Sequence, residues 1–486
     1  MSSNISFTQH IKHSFLFNTL FALLVNFAIK PIWVFLIDRT VQNQLGSETY
    51  GMYFAIFNFT YLFQIFLDFG LQNFNQTEIG SDNSKFGKSF AGILSVKLVL
   101  IVIYLLLSVS VAYSLGYASY SFFPWLIINQ ILLSLNIFLR SNISAHRQFI
   151  KDSFLSVLDK SLMIIGCLFM LAPWGWITLS IDHFVWIQTV ALSITTLFCI
   201  FYNLHLSSSF QWEFDFKFFK SIVGKAVPFA LIYFFMTIYY RIDSVMIEKM
   251  LGAKGALETG IYAQSYRIME SVNNIGYVVA GVLLPLFAYH LGKKSSIQQV
   301  LQQGYNIMLT VIVPIVAGAC FYAEDIISTL YTDTQSDYSS MIFTVLALNF
   351  IPVGFLYVLG PLLTAGKVFK VMIPCLFTAT LLNISINYLS IPTWGALGAA
   401  FATFFTQIFV LLVYSISTLI LFKISIRMDT LWKTIGYITL IMALDFALKS
   451  SAIHWMYAIV ISGICSVCLA LLLRIIGKST LQLKIS

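Results

Sequence analysis

Eleven ionisable residues interrupt long apolar stretches of this 486-residue chain. They are Lys30, Asp68, Lys97, Asp159, Lys160, Lys225, Arg241, Asp243, Arg267, Glu270 and Asp445. A charged side chain at membrane depth is costly, so such residues usually pair with one another or line a cavity. The chemistry open to them is therefore charge pairing, ion binding or the recognition of a charged substrate.

Three lysines, Lys30, Lys97 and Lys160, fall at inner-to-middle depth in the first half of the chain, where nearby acids are few. Burying an ammonium group without a carboxylate partner is expensive unless water or an anionic ligand meets it. We therefore predict that these three lysines contact a phosphate-bearing substrate. Arg241 and Arg267 lie nearer the outer face and are predicted as further substrate contacts.

The acids in the same stretches have two open interpretations, ion coupling and charge pairing. The four acids are Asp68, Asp159, Asp243 and Glu270. Arg267 and Glu270 are three residues apart and can pair on one helix face. Bridges from Arg241 to Glu270 and from Asp243 to Arg267 are also open. Asp445, close to the C-terminus, is either a proton-linked site or a residue that faces a crevice.

The composition identifies the class of protein. Hydrophobic residues make up 59 % and charged residues 10 % of the chain, there are 45 Phe, and the mean hydropathy is +0.86. Soluble proteins have about 45–50 % apolar and about 25 % charged residues. The composition excludes a soluble enzyme, a disordered chain, a nucleic-acid-binding domain and a disulfide scaffold. All six cysteines lie in apolar stretches, which indicates core packing.

A membrane helix needs about 20 mostly apolar residues, and fourteen stretches qualify. They are approximately 15–37, 50–71, 89–112, 121–139, 153–173, 183–204, 222–247, 261–288, 305–323, 339–363, 371–390, 396–421, 432–448 and 454–473. We number these predicted spans 1 to 14. With a cytoplasmic N-terminus, eighteen Lys and Arg fall in inside segments and four in outside loops. This bias supports fourteen spans with both termini inside.

An internal repeat defines the architecture. Ile37-Asp38, Leu45-Gly46 and Gly51-Met52-Tyr53 recur as Ile242-Asp243, Leu251-Gly252 and Gly260-Ile261-Tyr262, at offsets of 205, 206 and 209 residues. Both copies start on spans that run outward, so the repeat is parallel. The sequence predicts an all-α polytopic membrane protein with two pseudo-symmetric six-helix bundles, residues 1–205 and 206–425, and a trailing helix pair, 426–486.

Pro31 and Pro228 occupy spans 1 and 7, the equivalent first helices of the two bundles. Proline removes a backbone hydrogen bond and bends a helix, so we predict a hinge at each. The sequence contains no Walker A motif, no H-E-x-x-H and no Cys/His cluster with zinc spacing. No cofactor and no metal are predicted.

Several short motifs resemble a known family. Fourteen helices, the parallel repeat and Leu45-Gly46 with Tyr50-Gly51-Met52-Tyr53 resemble the multidrug/oligosaccharidyl-lipid/polysaccharide exporter superfamily. The stretch from Phe66 to Leu71 with Asn73 resembles its polysaccharide-transporter branch, the O-antigen flippases. Residues 395–400, Gly-Ala-Leu-Gly-Ala-Ala, resemble the junction of helices 11 and 12 in that superfamily. One position departs from the branch, because Thr77 stands where a basic residue commonly precedes Glu78-Ile79.

The resemblance implies a flippase that moves an undecaprenyl-pyrophosphate-linked oligosaccharide, such as an O-antigen unit for lipopolysaccharide, across the bacterial inner membrane. It implies alternating access of two lobes, cationic cavity residues that meet the pyrophosphate, and a lipid tail that stays in the bilayer. Other polysaccharide-assembly proteins are possible partners, and nucleic acid is not. Two alternatives stay open: a drug/cation antiporter of the same superfamily, and an integral membrane polysaccharide polymerase or ligase.

Overall fold

The computed structural model describes residues 29–69, 86–146, 148–172, 177–206, 216–332, 336–424, 428–451 and 453–477. Within these ranges the ordered elements are all helical. Fifteen α-helices follow one another in the order α1 Arg39–Leu45, α2 Ser47–Leu62, α3 Ile65–Asp68, α4 Phe86–Leu115, α5 Phe123–Ala145, α6 Phe149–Leu171, α7 Ile181–Leu206, α8 Phe216–Met250, α9 Gly255–Gly292, α10 Gln298–Leu330, α11 Ser336–Leu348, α12 Phe350–Ala365, α13 Phe369–Phe422, α14 Met428–Ser450 and α15 Trp455–Leu472.

The helices confirm the predicted all-α polytopic membrane fold. Among the described residues, eleven helical stretches are long and apolar enough to cross a membrane. One of them, α13, holds two predicted spans, because its backbone leaves the helical conformation at Gly395. Span 2 is divided into α2 and α3 by a turn at Phe63 and Gln64, and most of span 1 precedes the described residues.

Helices extend beyond the apolar windows that predicted them. Span 3 was expected over 89–112, and α4 runs from Phe86 to Leu115. Span 8 was expected over 261–288, and α9 runs from Gly255 to Gly292. Hydropathy detects only the membrane-embedded part of a helix, whereas backbone hydrogen bonding continues through polar residues until a capping residue stops it. The helix of span 1 likewise continues past Ile37 to Leu45.

A π-helical segment, Trp33–Asp38, begins two residues after Pro31. Helical residues 29–32 precede this segment and α1 continues it. Proline lacks the backbone N–H that an α-helix needs, and π-helical turns occur where the regular hydrogen-bond ladder is interrupted. Pro228 lies inside α8, which is helical from Phe216 to Met250. The two prolines therefore differ in their local backbone, and a hinge at either stays a prediction.

The described residues fall into two compact units, one before and one after the Val245–Met246 bond. The first unit has a core cluster that includes Val96, Phe138, Leu155 and Cys199, contributed by α4, α5, α6 and α7. The second has a core cluster that joins α10 to the trailing helices α14 and α15: Leu309, Val313, Ala317, Tyr437, Ile441, Ala470 and Ile475.

Gly395 sets a sharp bend in α13, with φ 57° and ψ −135°. Only glycine adopts this conformation readily, because a Cβ atom would clash with the backbone. The carboxylate of Glu258 accepts a hydrogen bond of 2.9 Å from the Ala396 amide and one of 2.7 Å from the Tyr338 hydroxyl. A Cβ atom at Gly395 would lie 2.6 Å from the Glu258 carboxylate. Glycine is therefore required both for the bend and for this close approach.

We expect Gly395→Ala to destabilise the protein by about 1–3 kcal/mol, because it combines backbone strain with a steric clash. Gly436→Ala in α14 is the matched control, since a Cβ atom there meets no atom within 4 Å. The measurement is the thermal unfolding midpoint of each purified variant in detergent. Equal midpoints for the two variants would contradict the requirement for glycine at the bend.

Candidate functional site

Lys97 lies in α4 and is fully buried, with 0 % exposure. Its Nζ atom donates a hydrogen bond of 2.6 Å to the Ser134 hydroxyl and lies 3.5 Å from an Asp68 carboxylate oxygen. The ammonium also lies 5.7 Å from the centre of the Phe138 ring. Asp68 is the last residue of α3, and Ser134 and Phe138 come from α5. Lys97 therefore joins three helices of the first unit, and its predicted anion-binding face is occupied by protein groups.

Lys160 is more accessible, because 30 % of its side chain is exposed. It lies near the middle of α6, and its Nζ atom is 5.3 Å from the centre of the Trp33 ring. The Asp159 carboxylate is 3.7 Å away, beyond hydrogen-bonding distance, and the nearest acceptor is the Met163 sulfur at 3.5 Å. A thioether is a weak acceptor. The ammonium of Lys160 thus retains donors that an anionic ligand could use.

Arg241 lies in α8 and belongs to the first unit. Its Nη1 atom donates a hydrogen bond of 3.1 Å to the Asn58 side-chain oxygen, and its guanidinium carbon lies 4.6 Å from the centre of the Tyr61 ring. Asn58 also donates to the Phe54 carbonyl and to the Ser244 hydroxyl. The guanidinium therefore lies on an aromatic face, a favourable cation–π arrangement, beside a hydrogen-bonded amide.

Asp38 is a buried acid that the sequence analysis left out of the membrane charges. It is 2 % exposed, and its Oδ2 atom accepts a hydrogen bond of 2.7 Å from the Tyr50 hydroxyl. Span 1 was expected to end at Ile37, whereas the helix continues through Asp38 to Leu45. The signal was present in the sequence, since Asp38 is the first-half counterpart of Asp243 in the repeat. The buried charged side chains of the first unit are consequently a mixture of cations and acids, with a smaller excess of positive charge than expected.

Other predicted residues lie in the described parts of the chain. In the second unit, Arg267 Nη1 donates a hydrogen bond of 3.0 Å to Glu270 Oε2, the pairing along one helix that the spacing allowed. Asp243 is 1 % exposed. Lys30 and Pro31 lie in the helical residues before Trp33 and are half-buried. Asp68, Asp159 and Glu270 thus pair with cations, and their role in ion coupling stays a prediction.

Some of the sequence features fall outside the described residues. They are Gly70, Leu71, Asn73, Thr77 and Glu78-Ile79, which include the one position that departs from the flippase pattern. Phe66 to Phe69 are described, and they place Asp68 at the end of α3.

An apolar cavity of about 440 Å³ lies within the second unit. Its walls come from α10, α12, α13 and α14 and include Tyr305, Phe355, Leu411, Leu419 and Leu431. The Tyr305 and Phe355 rings stack with their centres 4.8 Å apart. The polar groups on its wall are amides and hydroxyls, such as Gln302 and Thr418. Such a cavity suits an apolar chain better than a charged group.

Comparison with known proteins identifies the family. Residues 44–340 match the family described as "Polysaccharide biosynthesis protein". The chain belongs to this family. This match confirms the resemblance to polysaccharide transporters that the short sequence motifs indicated. A search of curated proteins found no match.

Solved structures share the fold at low sequence identity. "Lipid II flippase MurJ, inward closed conformation" is similar with a TM-score of 0.70 and 15 % identity, over 94 % of this chain and 97 % of that one. An inward-facing multidrug resistance MATE transporter of the MOP superfamily has a TM-score of 0.63 and 13 % identity, over 82 % and 98 % of the two chains. A MOP superfamily transporter from Pyrococcus furiosus has a TM-score of 0.59 and 12 % identity, over 84 % and 94 %.

We expect Asp68→Asn to destabilise the protein more than Lys97→Met does. The asparagine leaves a fully buried ammonium without its counter-ion, which typically costs roughly 3–5 kcal/mol. Lys97→Met removes that charge, and the remaining Asp68, with 28 % of its side chain exposed, can be hydrated. The measurement is the unfolding midpoint of both variants in detergent.

The double variant Asp68→Asn, Lys97→Met is the control for this pair. It should be more stable than Asp68→Asn alone, because neither charge is left in the membrane interior. If Asp68→Asn costs no more than Lys97→Met, the carboxylate does not compensate the buried ammonium.

Proposed function

We propose that the chain is a flippase that moves an undecaprenyl-pyrophosphate-linked oligosaccharide, such as an O-antigen unit, across the bacterial inner membrane. It acts by alternating access as a transporter and not as an enzyme, with both termini in the cytoplasm. Membership in the polysaccharide biosynthesis family supports the saccharide part of this proposal. The fold shared with a lipid II flippase supports the lipid-linked part.

The observation that carries the substrate contact is the environment of Lys160. Its ammonium is part-exposed and lies over an aromatic ring. It forms a long ion pair of 3.7 Å with Asp159 and has no oxygen acceptor within hydrogen-bonding distance among the described residues. A diphosphate offers several charged oxygens, and hydrogen bonds to charged groups are stronger than those between neutral groups. Lys160 is therefore the lysine best placed to meet the pyrophosphate.

The other predicted cations have different parts in this proposal. Arg241 presents a guanidinium over Tyr61 and is a second contact for phosphate or sugar oxygens. Lys97 is held by Ser134 and Asp68, so it contributes positive potential and requires a rearrangement before it can touch a ligand. Lys30 and Arg267 stay proposed contacts. The apolar cavity of the second unit would accommodate part of a polyprenyl chain.

The proposal is tested by complementing a strain that lacks the gene. We expect Lys160→Ala to lower surface polysaccharide about tenfold or more, the size of a lost hydrogen bond between charged groups. Lys160→Arg should retain most of the function, because the cation is kept. Lys433→Ala is the matched control, since that lysine is exposed at the start of α14. Protein levels are measured in every strain.

Two outcomes separate the site from the function. Full surface polysaccharide with Lys160→Ala at normal protein levels would remove Lys160 from the site while leaving the flippase assignment intact. Purified protein in liposomes that fails to move a fluorescent lipid-pyrophosphate-linked sugar between leaflets would overturn the function itself. Increased sensitivity of the deletion strain to cationic drugs, with normal surface polysaccharide, would favour the drug/cation antiporter.

A further inference from the structure

A buried acid in the trailing helix pair has a nearly apolar environment. Asp445 lies in α14 with 0 % exposure. Its Oδ2 atom accepts a hydrogen bond of 2.9 Å from the Ser462 hydroxyl in α15. Its Oδ1 atom is buried and has no hydrogen-bond partner among the residues that the structure describes. An isolated carboxylate in such a place is expensive, because burial removes it from bulk solvent and no basic side chain among the described residues forms an ion pair with it.

A basic side chain on the same helix does not pair with Asp445. Lys449 lies one helical turn further along α14, a spacing at which an acid and a base commonly pair. Its Nζ atom instead donates to the carbonyl oxygen of Phe321 in α10. The same part of α10 is bent, since Tyr322 has φ −120° and ψ 21°. The Tyr322 hydroxyl donates a hydrogen bond of 3.4 Å to the main-chain oxygen of Asp445. It does not donate to the carboxyl group of Asp445.

The helices packed around Asp445 bring few charges to it. Besides Lys449, the titratable and charged groups on the adjoining parts of α10 and α15, and at the N-cap of α15, are Cys320, Tyr322, Glu324, Asp325, His454, Tyr457 and Cys465. Glu324 and Asp325 are exposed acids, so they add negative potential to the region. His454 is exposed, and its Nδ1 atom accepts from the Met456 amide at the start of α15. The local charge balance therefore disfavours a bare carboxylate.

We propose that Asp445 is a proton-binding site, with the proton held on its carboxyl group between α14, α15 and α10. A proton neutralises the carboxyl group with a single bond. A metal cation such as calcium needs six or more oxygen ligands, and the side chains described here supply the carboxyl group and one hydroxyl. Loss of the proton leaves a charge in the packed interface, so deprotonation weakens the packing of α14 and α15 against α10. This site does not rest on the proposed function.

Infrared spectroscopy of the full chain in lipid nanodiscs tests the site. The protein is labelled with ¹³C-aspartate, and spectra of the wild type and Asp445→Asn are compared between about pH 5 and about pH 9, where displaced carboxyl groups titrate. We expect the wild type to show a protonated-carboxyl C=O band that disappears as pH rises and that Asp445→Asn lacks. Asp429→Asn is the matched control, because Asp429 is exposed in the first turn of the same helix.

A second variant keeps the test decisive if Asp445→Asn does not fold. Ser462→Ala removes the hydroxyl that donates to Asp445, so the C=O band should move to higher frequency while remaining pH-dependent. A band that is the same in the wild type and Ser462→Ala would overturn the assignment. So would the absence of any protonated band at neutral pH, or a band that responds to sodium concentration and not to pH.

Stability measurements supply an independent readout. A folded state that holds a proton which the unfolded state releases loses stability as pH rises. The unfolding midpoint of the wild type should therefore fall, relative to that of Asp445→Asn, as the buffer becomes more alkaline. Parallel midpoints across the pH range would contradict a proton site at Asp445.

Discussion

A charge buried in a membrane-spanning helix needs a counter-charge, a hydrogen-bonding dipole, an aromatic face or water, because hydrocarbon offers none of these. This constraint joins several helices of the chain, in addition to the apolar core clusters. Lys97 in α4 draws in Asp68 from α3 and Ser134 from α5. Arg241 in α8 draws in Asn58 and Tyr61 from α2. The Lys97 contacts join three consecutive helices, whereas the Arg241 contacts join helices that lie far apart in the sequence, so these contacts specify part of the fold.

Neutral groups, in addition to the acids, stabilise the buried cations. Aromatic rings lie close to the cationic groups of Lys97, Lys160 and Arg241. A ring face attracts a cation without adding a charge of its own. The cation therefore keeps its affinity for an anion, which a tight carboxylate partner would cancel. The carboxylate oxygens lie at similar distances, 3.7 Å from Lys160 and 3.5 Å from Lys97, but only Lys97 is fully buried and donates to a hydroxyl, that of Ser134.

The sequence predicted the helices far better than the contacts between them. Hydropathy located the spans that lie in the described residues, because a run of about twenty apolar residues is typical of a membrane helix. The orientation that loop charge indicates stays a prediction. The pairing of Arg267 with Glu270 was also accessible, since it depends on helical spacing alone. Glu258 could not be found this way, because its partners lie at residues 338 and 396 and depend on the bend at Gly395.

Asp38 and Ser134 show two further limits. Asp38 was not predicted as a buried charge, because the hydropathy pattern ends the predicted span at Ile37, one residue before it, whereas the helix continues. Ser134 was not predicted as a partner of Lys97, because a single hydroxyl in an apolar stretch has no distinguishing pattern. Its contact with Lys97 depends on the packing of α4 on α5. Neutral polar residues inside predicted spans are the sequence feature that would have indicated such buried contacts.

The π-helical stretch from Trp33 to Asp38 has a geometric consequence for the first repeat. A π-helical turn contains about one residue more than an α-helical turn. Converting this stretch to regular α-helical bonding would rotate the helix residues after Asp38 by about 100° around the helix axis. It would also lengthen the helix by about 1.5 Å. Trp33 and Asp38 lie at opposite ends of the stretch, so such a twist would change the angle between the ring beneath Lys160 and the carboxylate bound to Tyr50. The two ends of a continuous helix would thereby take a new orientation relative to each other.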